Sequence, residues 1–257
     1  MPAPLYSTKT GAFPQWFGGD LVYVKRDGLF LPIFDYTRGI KSMTEITTGL
    51  RSILSLPMIY ELVQSIFGGR SERRMMVNRF IRPKPGDHIV DIGCGPAEIL
   101  ALMPDVQYVG YDPSARYIEH ARKKFGSRGQ FFVGRFGKDD IAKHEPFDIG
   151  ILIGVLHHLD SIEATNLLAL LRLALKPGAR LVTEDPVLIE DQNAIARALI
   201  KWDRGVNVRA ASEYCGLAAA HFGTIRETVM HMKIPPYTLL IMAVSYTHLT
   251  LPTNREV

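Results

Sequence analysis

Val90-Asp91-Ile92-Gly93-Cys94-Gly95-Pro96-Ala97-Glu98 is the stretch on which the reading of this chain turns. An apolar run closes on an acid and passes at once into two glycines, the pattern of a buried strand stopping at a tight loop. Gly93 and Gly95 let backbone approach a ligand and take conformations closed to other residues. Seventeen residues beyond Gly95, Asp112 ends a second apolar run, Tyr108–Tyr111. A carboxylate in that place accepts hydrogen bonds from both hydroxyls of a ribose. A tight turn and an unrelated solvated acid form the plainer alternative, but spacing and strand context together favour an adenosine ligand.

Strand and helix patterns alternate outward from this point. His88–Ile92 is the first strand, followed by the glycine loop and a helix near Ala97–Met103. Tyr108–Tyr111 is the second, and Ser114 caps a helix reaching about Phe125. Gln130–Val133 is a third strand. Phe147–Ile153 is a fourth, apolar enough for burial on both faces. An amphipathic helix spans about Ser161–Leu175 and stops at Lys176-Pro177-Gly178, with Asp160 and Ser161 as capping residues. Arg180–Thr183 is a fifth strand, a helix follows near Ala194–Trp202, and weaker strands lie near Thr224–Met230 and Tyr237–Val244. Repeated β-α-β units with short connections imply one doubly wound α/β domain, a mostly parallel sheet with helices on both faces. Its ligand belongs beyond the carboxyl ends of the strands, at the switch in strand order.

The charges around the loop select among adenosine ligands. A dinucleotide site wants a third glycine and a helix N-terminus that welcomes a pyrophosphate. Here Glu98 occupies that third position, and Asp91 stands before the loop, suited to a cationic group. A ligand with a sulfonium, an ammonium and a ribose fits better: S-adenosyl-L-methionine.

Residues 57–244 resemble a class I S-adenosylmethionine-dependent methyltransferase of the small-molecule type. The resemblance is carried by Val90-Asp91-Ile92-Gly93-Cys94-Gly95, by Tyr108-Val109-Gly110-Tyr111-Asp112, by Phe147-Asp148-Ile149 through Val155-Leu156-His157-His158-Leu159, and by Leu175-Lys176-Pro177-Gly178. It implies a seven-stranded sheet whose last strand is antiparallel. It also implies that Asp91 serves the methionine end of the cofactor, with the Gly93, Cys94 and Gly95 backbone alongside. Asp112 would take the ribose, Pro113 would line the adenine side, and Gly154 would border the site after the fourth strand. Two positions depart from the family. Ala97 stands where many members carry a third glycine, a change expected to matter little because alanine is small. After the third strand, where an acid often binds the adenine amino group, Gly134 is followed by Arg135, which accepts no hydrogen bond. Adenine is then expected against backbone groups and Phe136.

The reaction implied is direct displacement by a nucleophilic atom, which needs no obligatory catalytic residue. His157 and His158 follow the fourth strand and have the chemistry of a general base. The expected role is different: one packs under the cofactor and the other caps the turn. Glu184-Asp185, after the fifth strand, either orients a substrate hydroxyl or amine or caps the next helix. Arg204, Arg209 and Tyr214 are candidate substrate-side residues, and no metal-binding pattern stands out. Two rival readings are a nicotinamide-dependent oxidoreductase, opposed by Glu98 and Asp91, and a non-catalytic cofactor-binding or assembly protein.

Residues 1–56 read as an irregular arm or lid with a short strand at Leu21–Val24. Helices are expected from Met58 to Phe67 and, capped by Ser71, through Phe80. Arg70, Arg73, Arg74, Arg79, Arg82 and Lys84 form a basic run that usually marks a solvated face, though it suits steering of an anionic or lipid-like substrate. The net charge of +4 does not call for nucleic acid. Two cysteines, Cys94 and Cys215, make no disulfide framework, so a reducing, cytoplasmic setting is expected, with no secretion signal and no membrane span. Residues 245–257 continue neither pattern and resemble translated adapter read-through.

Overall fold

The computed structural model describes residues 6–7, 20–26, 29–35, 69–202, 205–233 and 236–245. The chain divides into two compact units, Met1–Ile46 and Thr47–Val257. The helix expected from Met58 to Phe67, Arg204, and the tail beyond Ser245 lie outside the described residues. The first unit holds three antiparallel strands, β1 (Tyr6–Ser7), β2 (Asp20–Arg26) and β3 (Leu29–Asp35). An irregular arm was expected here. The short strand at Leu21–Val24 lies within β2, and register pairing with β3 extends it at both ends.

The first described element of the second unit is α1 (Arg70–Met75), which runs on as a π-helical turn, Met76–Ile81. Its N-cap is Gly69, without a side-chain cap; Ser71, expected in that role, sits inside the helix. The sheet is built from β4 (His88–Ile92), β5 (Gln107–Asp112), β6 (Gly129–Val133), β7 (Phe147–Ile153) and β8 (Leu175–Leu188). Between them lie α2 (Ala115–Phe125), the short α3 (Lys138–Ile141) and α4 (Ser161–Ala174). The chain then runs through α5 (Ala194–Trp202), β9 (Arg209–Ala210), α6 (Ala211–Ala219), β10 (Thr224–Lys233) and β11 (Pro236–Ser245).

The strand order is β10-β11-β8-β7-β4-β5-β6, with β9 paired to β8 off this path. Strands β4 to β8 are parallel, and β11 runs antiparallel to β8. The seven-stranded path and its antiparallel final strand are as the resemblance implies. The β4–β5–β6 connections step to one side and β7–β8 to the other, so the crevice opens where β4 meets β7.

Period-two alternation divides the core between two faces. Val90, Val109, Leu152 and Leu181 face α4 and α6 through Leu168, Leu171 and Ala218. Ile89, Tyr108, Ile151 and Val182 face the π-helical turn that follows α1, through Met76 and Val77, and α2, through Ile118 and Ala121. Apolar burial on both faces is what makes β7 read as a continuous hydrophobic run. Ser114 caps α2 by accepting from the Tyr117 N–H, and Asp160 caps α4 in a reciprocal capping box with Glu163. Asp148 accepts from the His88 N–H at 3.0 Å and pairs with Lys176 at 2.8 Å, joining β4, β7 and β8 at the edge away from the crevice.

Two local readings are corrected. In place of a helix over Ala97–Met103 there is one short 3-10 segment, Glu98–Leu102, because Ala97 is left-handed at φ 55°, ψ 31°. Strand β8 starts at Leu175, directly after α4, so Lys176-Pro177-Gly178 is part of the extended segment. Ala97 is fully buried in its strained conformation. The left-handed region costs a side-chain-bearing residue ~1–2 kcal/mol. Ala97→Gly removes that strain while losing one buried methyl, worth ~0.8 kcal/mol. Urea unfolding should therefore find Ala97→Gly within about 1 kcal/mol of wild type. Ala121→Gly, at a fully buried helical position in α2, should cost about 2 kcal/mol. Equal losses at the two positions would contradict the strain.

Candidate functional site

The glycine loop lies at the crevice end of β4 and is fastened to β5. Gly93 and Cys94 N–H groups both donate to the Tyr111 carbonyl, at 2.7 and 3.1 Å. The Gly95 N–H donates to Asp112 Oδ2 at 2.9 Å, and the Ser114 N–H donates to Asp112 Oδ1 at 2.7 Å. Each Asp112 oxygen thus accepts one backbone donor and keeps capacity for a second. Burial raises this carboxyl's pKa, with the two backbone donors opposing the rise. Gly95 is left-handed at φ 52°, and a Cβ there would meet nothing within 4 Å, so the loop borders open space. The same is true of Gly134 after β6. Gly93 is different, because a Cβ on it would run into Val155.

Asp91 is buried beneath this loop, 3% exposed, and its Oδ2 accepts from the Tyr108 hydroxyl at 2.5 Å. Burial is the main reason its pKa rises to about 7, partly offset by that hydrogen bond. The side chain expected at the methionine end is therefore tied into the layer under the loop. Tyr108, its partner, carried no sequence signal beyond an apolar alternation. Cys94 is partly buried, and burial together with Asp91 and Asp112 drives its thiol pKa far up, which rules out an easily ionised nucleophile.

The expected adenine-side residues divide. Pro113 is exposed beside Asp112. Arg135 pairs with Glu163 on α4 at 3.1 Å. Phe136 is 4% exposed and packs edge-on against Tyr111 in the α4-side core, so its ring serves the core. Glu98 pairs with Lys124 and opens a segment of only five residues, which is no helix N-terminus for a pyrophosphate.

Beyond β7, Gly154 is left-handed at φ 68° and its N–H donates to the Glu184 carbonyl at 2.7 Å. His157 follows, 5% exposed. Asp185 Oδ1 accepts from the His157 N–H at 3.1 Å and lies 2.8 Å from its Nδ1. With Asp185 ionised, Nδ1 carries the proton and Nε2 is the acceptor. The His158 ring lies 4.0 Å from that of His157, and Gly205 abuts the other side so closely that a Cβ would collide with the ring. Arg209 donates to the carbonyls of Leu156, Leu159 and Asn207, and its guanidinium lies 5.7 Å from the Tyr214 ring centroid. Both residues were expected on the substrate side. Arg209 instead clasps the His157 turn, and Tyr214 is fully buried. Asp185 likewise holds His157 and caps no helix.

Glu184 points to the opposite face of β8, towards α1. It is 8% exposed, and burial, reinforced by the nearby Glu72 and Asp185, raises its pKa to about 8. Burial raises Glu72, on α1, to about 7 against the pull of Arg73. Both Glu72 oxygens and Glu184 Oε2 are buried without hydrogen-bond partners. Glu72 escaped the sequence reading; its signal was a single acid inside a basic helix.

Residues 90–181 match the family model described as a methyltransferase domain. This segment, about a third of the chain, is similar to a methyltransferase domain. Over 134 residues it is 32% identical to a tRNA U34 carboxymethyltransferase of Pseudoalteromonas translucida, covering 50% of this chain and 40% of that protein. Over 131 residues it is 33% identical to an O-methyltransferase of Pyrenophora dematioidea, covering 47% and 48%. The chain thus spans about half the length, or less, of these curated relatives. Among solved structures, the Haemonchus contortus phosphoethanolamine N-methyltransferase 2 complex with phosphomonomethylethanolamine and S-adenosylhomocysteine superposes with a TM-score of 0.61. It is 15% identical, covering 81% of this chain and 61% of that one, a likeness of fold. Among the described residues, no helix is long and apolar enough to cross a membrane, and no cluster of metal-binding side chains occurs.

The raised Glu184 pKa favours the neutral acid in the folded state. Its stabilising contribution is complete below the ordinary value of 4.5 and is lost as pH rises through about 8. Glu184→Gln keeps the neutral shape at every pH. Urea unfolding should show the variant gaining on wild type between pH 5 and pH 8, by on the order of 2–4 kcal/mol. A constant difference across that interval would mean that Glu184 does not titrate there.

Proposed function

We propose that the protein transfers a methyl group from S-adenosyl-L-methionine to a nucleophilic atom of a small molecule. The observation that carries this reading is Asp112, at the end of β5 and beside the glycine loop, with spare acceptor capacity on both oxygens. Asp112 would hold the two ribose hydroxyls, the Gly93–Gly95 backbone would run along the cofactor, and the backbone at Gly134 would border adenine. Asp91 would act from beneath the loop, holding it in place through Tyr108. The solved Haemonchus enzyme binds S-adenosylhomocysteine in the same fold, and the named relatives are an O-methyltransferase and a carboxymethyltransferase.

The cofactor supplies a methyl group on a positively charged sulfur, which leaves without protonation. The chain's own work is to align the nucleophile and exclude water. His157 is a positioning residue in this reading: Asp185, Gly205 and the turn clasped by Arg209 fix its ring beside the crevice. His158 lies tilted against it as support. A nicotinamide oxidoreductase is opposed by the Glu98–Lys124 pair where a pyrophosphate would have to sit.

A second reading, a tRNA substrate, is favoured by the tRNA-acting relative and by exposed Arg70, Arg74, Arg79, Arg82 and Lys84. It predicts tRNA binding that weakens steeply with salt. The small-molecule reading predicts none at physiological ionic strength.

Calorimetry should find S-adenosylhomocysteine bound and NAD not bound. Asp112→Ala should lose at least about tenfold in that affinity, given ~1.5–3 kcal/mol per hydrogen bond to a charged group. Asp112→Asn, which keeps one acceptor, should fall between. Unchanged binding in both variants would remove Asp112 from the site. A non-catalytic binding protein would show the same binding with no methyl transfer to any component of a metabolite extract.

Once a substrate is in hand, His157→Gln and His158→Gln at saturating cofactor should each cost less than about a hundredfold in turnover, the lower edge of general-base catalysis. A greater loss in a folded variant, with wild-type activity rising through the imidazole range, would make that histidine the base.

A further inference from the structure

Register places the two acids of the crevice on one line. Asp91 is level with Gly110 on β5 and with Ile151 on β7, and Ile151 is level with Val182 on β8. Two residues further along, the next row on the same face runs Asp112, Gly93, Ile153, Glu184, with Ile153 and Glu184 in direct register. Three strand spacings separate its ends, about 14 Å at ~4.8 Å each. Asp112 marks the ribose end. With the cofactor's ribose at Asp112, its sulfonium would lie a few bonds away, and Glu184 would stand beyond it if the methionine end ran along this row. The methionine end of the cofactor and the substrate are the two parts of the reacting pair that reach so far.

At that far end Glu184 lies on the face covered by α1: Val182, two residues before it, shares a core cluster with Met76, four residues after Glu72, and the two acids interact electrostatically. The three buried oxygens, Glu72 Oε1 and Oε2 and Glu184 Oε2, lack any donor. Asp185, the next acid, turns to the other face and is engaged with His157. Arg73 is the cation that acts on Glu72, and it hydrogen-bonds to neither oxygen. Carboxyl oxygens buried without donors are costly, and a neighbouring acid adds to the cost. Such strain marks a site completed by its ligand.

We propose that Glu72 and Glu184 form the binding site for a protonated primary amine on the molecule to be methylated. A primary ammonium carries three N–H donors and a positive charge, matching three unsatisfied acceptor oxygens on two carboxyl groups whose ionised form a bound cation would favour. Its charge is opposite to that of the anionic substrate suggested by the basic run. The assignment rests on the methyltransferase reading only in giving the amine to the substrate; the pair itself is read from geometry.

The test uses the full chain saturated with S-adenosylhomocysteine, with n-butylamine as probe and n-butanol as its neutral counterpart, followed by saturation-transfer NMR. Wild type should bind the amine and not the alcohol. Glu72→Gln and Glu184→Gln should each weaken amine binding at least about tenfold, the loss of one or more charge-assisted hydrogen bonds. At pH 8 both variants should melt at or above the wild-type temperature, since neither carries a buried group that ionises. Amine binding no better than alcohol binding, or unaffected by both substitutions, overturns the proposal. A parallel titration compares S-adenosylhomocysteine with 5′-methylthioadenosine, which lacks the amino-acid end. If the variants weaken the former tenfold and spare the latter, the occupant is the cofactor's own ammonium and the substrate assignment falls. Failure of wild type to bind S-adenosylhomocysteine strikes the methyltransferase reading instead. The amine titration, repeated without it, still reports on the pair.

Discussion

The hydrogen bonds from the Gly95 and Ser114 N–H groups to Asp112 are the constraint on which the rest of the site depends. They make one carboxylate the common anchor of the glycine loop and of the entry to α2. Because the loop and the end of β5 share this group, their separation is fixed before any ligand arrives. Charge-assisted hydrogen bonds of this kind are stronger than neutral ones. The lone pairs they leave over are held in a set direction rather than on a freely rotating side chain. The bonds from Gly93 and Cys94 to the Tyr111 carbonyl repeat the fastening one residue earlier. Loop, acid and helix start therefore form one rigid unit.

Much of this was legible in the sequence, for physical reasons that differ from block to block. The glycine–acid spacing was readable because only certain residues fit a tight loop beside a strand end. The Phe147–Ile153 strand was readable because burial on both faces leaves an unbroken apolar run. Asp148 and Lys176 lie within the recognised blocks, yet they work at the opposite edge of the sheet, pinning three strands. Family resemblance thus mixes residues that hold the fold with residues that could meet a ligand, and spacing alone does not separate them.

What stayed hidden depended on the direction in which side chains point. Arg135 and Phe136 are where the chain order put them, but one reaches to α4 and the other turns into the core. Arg209 and Tyr214 looked like crevice residues and are instead a clasp and a core ring. Ala97 looked harmless because its size is small, whereas its backbone conformation is the feature that stops a regular helix from starting. Glu72 and Glu184 are more than a hundred positions apart, and α1 gave no sign that its acid faced inward. Pairings of that kind come from tertiary packing, which one-dimensional periodicity does not record.

The contact between Gly205 and the His157 ring places a restriction on how this sequence can change. The imidazole already fills the volume that a methyl group on residue 205 would need. Enlarging position 205 therefore requires the ring to move off Asp185 or to be replaced by something smaller. The order of substitutions matters for the same reason: a change at position 157 opens room at 205, while the reverse order begins with a steric clash. Any lineage or designed library that diversifies this rim must treat the two positions as one unit.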